Sequence, residues 1–257
     1  MTKKTNLKVV LIGSGNVAWH IGKAMIDNEI DVLQIYSPQH AFKLATEWNI
    51  PYTHDLSALN DSADVYLFAI KDDSYQKLVA QFPFRNKCMV HTSGSVDIDV
   101  FQEVTNSYGV LYPFQTFTKN VVLPFDQVPL CVEANDEKTE EKLKKLAHIL
   151  SRKQYVIDSH TRRYLHLAGV FACNFTNALY GLAKDITEEK GLDFSILLPL
   201  INETARKVNL SFPEEVQTGP AVRKDMKIIE KHLRMLDDEK VKNVYKLISE
   251  IIAEKTT

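Results

Sequence analysis

Leu7-Lys8-Val9-Val10-Leu11-Ile12-Gly13-Ser14-Gly15-Asn16-Val17-Ala18 is the stretch that decides how the rest of the chain is read. Four apolar residues, Val9 to Ile12, run straight into a pair of glycines, and Val17, Ile21, Ala24 and Met25 follow at helical spacing. A strand that turns on glycine into a helix is the arrangement that receives a dinucleotide pyrophosphate. Gly13 permits the tight turn, Gly15 lets the backbone approach the phosphates, and Ala18 lets the helix pack on its strand. The free N–H groups and dipole at the helix start, with Ser14, Asn16 and Val17, then face the anion. No Lys-Ser or Lys-Thr follows the glycines, which argues against a mononucleotide P-loop.

Outward from this turn, short apolar runs alternate with helical stretches as far as Asp158. Strands are expected at Leu7–Ile12, Val32–Tyr36, Val65–Ile70, Cys88–His91, Gly109–Tyr112, Pro129–Val132 and Gln154–Ile157. Helices are expected at Ala41–Trp48 and Glu137–Ser151, among others. Such alternation implies an α/β fold, a doubly wound, mainly parallel Rossmann sheet with helices on both faces. After Asp158 the pattern becomes helical: one long apolar helix over His160–Ile186, closed by Gly191, then Phe194–Val208, Val222–Leu236 and Val241–Ile252. The expected division is therefore a dinucleotide-binding domain over 1–158 and an all-α substrate and dimerisation domain over 159–257. A helix this apolar must bury several faces. A domain of about a hundred residues barely does so alone, so a homodimer through the helical domain is expected.

Composition narrows the partners. A formal charge of −2 over 257 residues gives no electrostatic case for nucleic acid or for an anionic membrane. Met1-Thr2-Lys3-Lys4 leads directly into the first strand, no run reaches membrane-span length, and a secretory signal is not expected. The three cysteines, Cys88, Cys131 and Cys173, are far apart, and neither CxxC nor HExxH occurs, so no metal site is expected. The expected setting is a reducing cytoplasm.

The second strand ends Ile35-Tyr36-Ser37-Pro38-Gln39-His40 without the acidic residue that bonds the ribose hydroxyls of NAD. Asp31 stands at the opposite end of that strand, whereas Ser37, His40 and Lys43 can donate to a 2′-phosphate. The cofactor expected is NADP, with NAD less favoured. Ala69, Ile70 and Lys71 end the next central strand and are expected beside the cofactor, while Asp72-Asp73-Ser74 reads as a helix cap. His91-Thr92-Ser93-Gly94-Ser95 ends the strand after it. His91 is a candidate general acid and Ser93 a candidate substrate ligand; a satisfied core histidine and a capped turn are the alternatives. Tyr112-Pro113-Phe114-Gln115-Thr116-Phe117 is an aromatic loop that forms a pocket wall or packs between domains. Asn174 and Asn177 interrupt the long apolar helix, and Asn174 is a candidate substrate or carboxamide ligand. The competing use of these asparagines is a bond to the opposite subunit.

GSGNVA at 13–18, HTSGS at 91–95, YPFQTF at 112–117, AGVFACNFTNAL at 168–179 and TGPAVRKD at 218–225, in this order, resemble one known family. It comprises Rossmann-like NADP oxidoreductases whose C-terminal helical domain has no assigned function. Their architecture is similar to pyrroline-5-carboxylate reductase and, more distantly, to 6-phosphogluconate and 3-hydroxyisobutyrate dehydrogenases. The resemblance implies a nicotinamide-dinucleotide site at Gly13–Val17, a cleft between the domains and a dimer through the helices. The hydroxyacid relatives carry a helix lysine four residues before an asparagine. Matched on Asn177, that lysine falls on Cys173, so hydroxyacid dehydrogenation is not carried over. Close relatives often have His-Pro where this chain has Tyr112-Pro113, which removes another acid.

Two classes of function follow. One is an NADP(H)-dependent oxidoreductase moving hydride to or from a small C=O or C=N compound in the interdomain cleft. The other is a non-catalytic NADP(H)-binding redox sensor.

Overall fold

A computed structural model describes residues 6–119 and 121–255 of the chain. Met1–Lys4, on which the expectation about a secretory signal rests, lies outside them. The chain divides into two compact units, Met1–Cys173 and Asn174–Thr257.

The first unit begins β1 (Lys8–Ile12), α1 (Asn16–Asp27), β2 (Asp31–Tyr36), α2 (Ala41–Trp48), β3 (Tyr52–Thr53) and β4 (Val65–Phe68). It continues through α3 (Tyr75–Ala80), β5 (Met89–His91), β6 (Tyr108–Pro113) and β7 (Leu130–Ala134). The helix α4 (Glu137–Leu150), β8 (Gln154–Val156) and α5 (Ser159–Gly169) complete it. One sheet results, ordered β3-β2-β1-β4-β5-β6-β7-β8. Only the β6–β7 pairing is antiparallel among the described residues.

Two strands carry the core. In β1, Val9 and Leu11 join one apolar cluster, and Val10 and Ile12 join another. In β4 the same alternation sends Val65 and Leu67 one way and Tyr66 and Phe68 the other. Successive side chains of a strand point to opposite faces, so a continuous apolar run means both faces are covered. Fully burying one such Leu or Phe contributes about 1.5–3 kcal/mol.

The two-residue strand β3 was not anticipated from sequence. Pro51, just before it, contributes only its carbonyl, which accepts from the Ile35 N–H at 2.9 Å. The suggested boundary at Asp158 is the N-cap of α5, whose carboxylate accepts from the Thr161 N–H at 2.7 Å. From there the long helix changes pitch. A π-helical turn, Val170–Phe175, separates α5 from α6 (Thr176–Glu188), and the division between the units falls inside that turn.

The second unit holds α6, α7 (Leu198–Val208), the short α8 (Pro213–Val216), α9 (Met226–Met235) and α10 (Glu239–Lys255). α9 starts later than the expected Val222, because Gly219 and Lys224 both take positive φ and Asp225 caps the helix by accepting from Ile228 N–H. Among the described residues of this unit only Ala221 and Ile229 are buried. The apolar side chains of the long helix are correspondingly open: Phe171 is 62% exposed and Phe175 50%. Asn174 and Asn177 are exposed as well.

Candidate active site

Register aligns Tyr36, Ile12, Phe68, His91 and Val110 in one row across β2, β1, β4, β5 and β6. The segments just beyond this row leave the carboxyl ends of the parallel strands. The order of strands reverses between β1 and β4, and ligands of open α/β sheets bind outside that point.

Gly13 is the first residue past β1. Its φ is +125°, its N–H donates to the Tyr36 carbonyl at 2.7 Å, and a Cβ built there would lie 2.1 Å from the Ala69 carbonyl oxygen. Ile70 Cγ2 would lie 3.4 Å from the same Cβ. Gly13, Ala69 and Ile70 therefore meet, while Lys71 is exposed beside them. Gly15 differs. Its φ is −78°, and a Cβ there would meet no protein atom within 4 Å. Nothing inside the protein requires glycine at 15; the space in front of it is open.

That space adjoins the start of α1. Gly15 is its N-cap and offers no side-chain hydrogen bond, and the first turn holds no acidic residue. The N–H groups of Asn16 and Val17 thus stand at the positive end of a twelve-residue helix without a side-chain acceptor. Asn16 is held by donating from Nδ2 to the Phe117 carbonyl at 2.9 Å. His20 contacts the Thr118 carbonyl through Nε2 at 3.0 Å and packs on the Phe117 ring. The aromatic loop after β6 accordingly folds over α1, forming a wall of the glycine turn.

At the end of β2, Ser14 Oγ donates to Ser37 Oγ at 2.9 Å. The Ser37 carbonyl lies 2.6 Å from His54 Nδ1, and Ser37 Oγ accepts from the His40 N–H at 3.4 Å. The carboxylate nearest this corner, Asp55, is turned to the Ser57 N–H and hydroxyl. A cavity of about 520 Å³ beside it is lined by Tyr36, His54, Asp55 and Ser57. A larger one, about 590 Å³, opens at the amino ends of β4, β5 and β6 around Asp64, Cys88 and Lys142. The smaller cavity is the one at the carboxyl end of β2, beside Tyr36.

The turn after β5 is tightly organised. Ser93 Oγ accepts from the Ser95 and Val96 N–H groups, and Ser95 donates to Asp72. Asp72-Asp73-Ser74 forms a 3-10 turn leading into α3. His91 is wholly buried against the rings of Tyr75 and Phe101 and accepts the Ser93 N–H at Nδ1, 3.2 Å away. Burial, then the neighbouring Arg162 guanidinium, pushes its pKa down to about 3. A general-acid role for His91 does not fit this setting: the ring is neutral near pH 7 and sealed from solvent. Its use here is to hold the turn.

Sequence reasoning missed two features. Arg162 on α5 is fully buried, donating to the Val96 carbonyl at 2.6 Å and to Ser159 Oγ at 2.9 Å, with Glu133 3.6 Å away. It ties α5 to the turn after β5. Its Nε and Nη1 have no hydrogen-bond partner. Four residues on, His166 Nδ1 lies 3.0 Å from the Tyr112 hydroxyl at the end of β6. Fifty-four residues separate that pair in sequence, so no local spacing announces it. Asn174 is the first residue of the second compact unit.

No group of three or more metal-ligating side chains occurs among the described residues. No described helix is long and apolar enough to cross a membrane.

The profile of a domain of unknown function, DUF2520, matches residues 128–252. No curated protein matches the chain. Among solved structures, the Bacteroides fragilis protein named "putative NADP oxidoreductase BF3122" is 40% identical, with a TM-score of 0.91 over 96% of this chain and 98% of that one. Protein TM1727 of Thermotoga maritima is 23% identical, with a TM-score of 0.81 over 96% and 99%. A Plasmodium falciparum pyrroline carboxylate reductase, solved with NADP bound, shares the fold at 13% identity and a TM-score of 0.63 over 98% and 99%. At 40% identity over nearly both lengths, the chain belongs to the family of the Bacteroides fragilis protein, Rossmann-like α/β chains continued by a helical region.

Proposed function

We propose that this protein is an NADP(H)-dependent oxidoreductase that moves hydride to or from a small C=O or C=N compound. The observation that carries the reading is the contrast between the two glycines. Gly13 is demanded by the fold, whereas Gly15 is not, and the open space before it at the start of α1 suits a bound pyrophosphate. The exposed, uncapped start of α1 supplies N–H donors for a pyrophosphate there. Ser14 and Ser37 offer hydroxyls, β2 itself ends without a carboxylate, and the nearby Asp55 is engaged by the Ser57 N–H and hydroxyl. The Bacteroides fragilis protein named "putative NADP oxidoreductase BF3122", at 40% identity, agrees with this choice.

When bound, the nicotinamide supplies or accepts the hydride. The chain's own residues hold and orient it: Gly13 to Val17 at the pyrophosphate, Ala69, Ile70 and Lys71 beyond β4, and the Ser93 turn beyond β5. His91 and Ser93 position that turn, and the reading assigns Asn174 no part. The helical unit is taken as the dimer surface, because its apolar side chains are exposed, Leu200 at 65% and Phe212 at 74%.

Fluorescence titration with NADPH and NADH tests the cofactor. NADPH is expected to bind more tightly, and Gly15→Val to lose at least about tenfold in affinity while costing no more than about 1 kcal/mol of stability as a poorer N-cap. Absence of binding to either dinucleotide overturns the proposal. Tight NADPH binding with no reduction of any cyclic imine, ketone or oxoacid replaces the enzyme with a sensor.

A further inference from the structure

We propose that the Tyr112 phenol is the proton donor of this site, that His166 refills it, and that the substrate is accordingly a ketone or aldehyde. The inference rests on the oxidoreductase reading above.

Placement comes first. Tyr112 lies two residues beyond Val110, which is in register with His91, so it stands at the same strand ends as Gly13 and Ala69. Tyr112 is half-buried, its hydroxyl sits 3.0 Å from His166 Nδ1, and His166 is exposed. An inner phenol joined to an outer imidazole is a short proton path from water to the site.

The pair is built in rather than accidental. A Cβ on Gly94 would lie 2.6 Å from His166 Nδ1 and 2.8 Å from Tyr112 Cζ, so only glycine lets the turn after β5 close on both rings. Arg162, His166 and Gly169 fall at i, i+4 and i+7, one face of α5. Arg162 anchors one end of that face to the Val96 carbonyl. At the other end Gly169 admits the Phe114 ring, 2.7 Å from where its Cβ would be. Both rings are thereby fixed against the segment that follows β5.

The neighbouring groups are occupied otherwise. His91 is sealed and neutral, and the Ser93 hydroxyl accepts two backbone N–H groups. Cys131, behind Tyr112, is buried. The Tyr112 phenol itself is pushed up to about 12, chiefly by burial, so it carries its proton near neutrality.

The chemistry balances as follows. The substrate carbonyl carbon gains hydride and the C=O π pair moves to oxygen. That oxygen takes the phenol proton, breaking the Tyr112 O–H bond. The phenolate recovers a proton from the His166 ring at Nδ1, and the ring regains one from water at Nε2. One hydride and one proton are consumed for each alcohol formed. An iminium substrate arrives already protonated and leaves such a relay idle, which is why the pair points to a carbonyl.

The test uses the intact protein, Tyr112→Phe and His166→Gln. NADPH affinity is measured by fluorescence, and single-turnover NADPH oxidation is followed with ethyl levulinate, glyoxylate and 1-pyrroline. Wild type should reduce a carbonyl probe with a solvent deuterium isotope effect. Tyr112→Phe should bind NADPH as the parent does yet transfer hydride to that probe about 100-fold more slowly. His166→Gln should lose about tenfold and retain the isotope effect. Nitrogen-15 NMR of His166 should show its Nδ1 hydrogen bond disappear in Tyr112→Phe. Wild-type carbonyl reduction by Tyr112→Phe, joint loss of NADPH binding in that variant, or reduction of 1-pyrroline alone overturns the relay. Failure of wild type to bind NADPH sinks the underlying cofactor reading instead.

Discussion

The sheet unit and the helical unit handle apolar side chains in opposite ways. In the first, β1 and β4 bury every apolar side chain they carry, on both faces, within their own unit. In the second, two described residues are buried, while Leu198, Leu200, Leu210, Phe212 and Leu247 are open. A parallel sheet covered by its crossover helices closes its core within one chain. Helices with apolar residues on several sides need a further surface. Stability should therefore be set by local packing in the first unit and by association in the second.

The largest effect expected is on Gly13. Gly13→Ala combines a strained φ with a collision on the Ala69 carbonyl and should destabilise the sheet unit by about 4 kcal/mol, read by urea unfolding. Arg162→Ala comes next. It removes the tie to the Val96 carbonyl and strips Glu133 of its cation, a loss of about 3 kcal/mol. Arg162→Met should lose less, because two of the guanidinium nitrogens have no partner to begin with. An Arg162→Met loss equal to that of Arg162→Ala would show that charge rather than packing governs that corner.

Acid should expose His91. Its folded pKa, about 3, is below the ordinary 6.5, so the unfolded chain binds the extra proton between these values. The associated stability is complete above pH 6.5 and is lost as pH falls toward 3, at about 1 kcal/mol per pH unit. His91→Gln should flatten this part of the stability–pH curve, whatever it does to stability at pH 7. The smallest effect on folding belongs to the helical unit. Leu200→Glu with Leu247→Glu should shift the free energy of the single chain by less than about 0.5 kcal/mol yet convert a dimeric mass to a monomeric one in light scattering. A monomeric parent would break the comparison.

What the sequence discloses follows from how local each feature is. The glycine turn, α2 and the central strands are legible because residue type and short-range period determine them. The expected Ala41–Trp48 helix is the observed one. The π turn at Val170–Phe175 is not legible, since one extra residue per turn leaves no compositional mark. Arg162 reads as a surface charge on a helix, and its burial depends on Val96, Ser159 and Glu133 meeting it in space. The replacement of a relative's histidine by Tyr112 reads as an acid lost. Only the fold reveals that His166 stands beside it.

The unfilled space before Gly15 makes that position invisible to any survey that scores folding alone. In a library sorted only for well-folded, abundant protein, side chains at 13 should disappear and side chains at 15 should persist. Sorting the same library for capture on an immobilised dinucleotide should remove both. Positions that separate under these two sieves trace the outline of the bound molecule without a crystal of the complex.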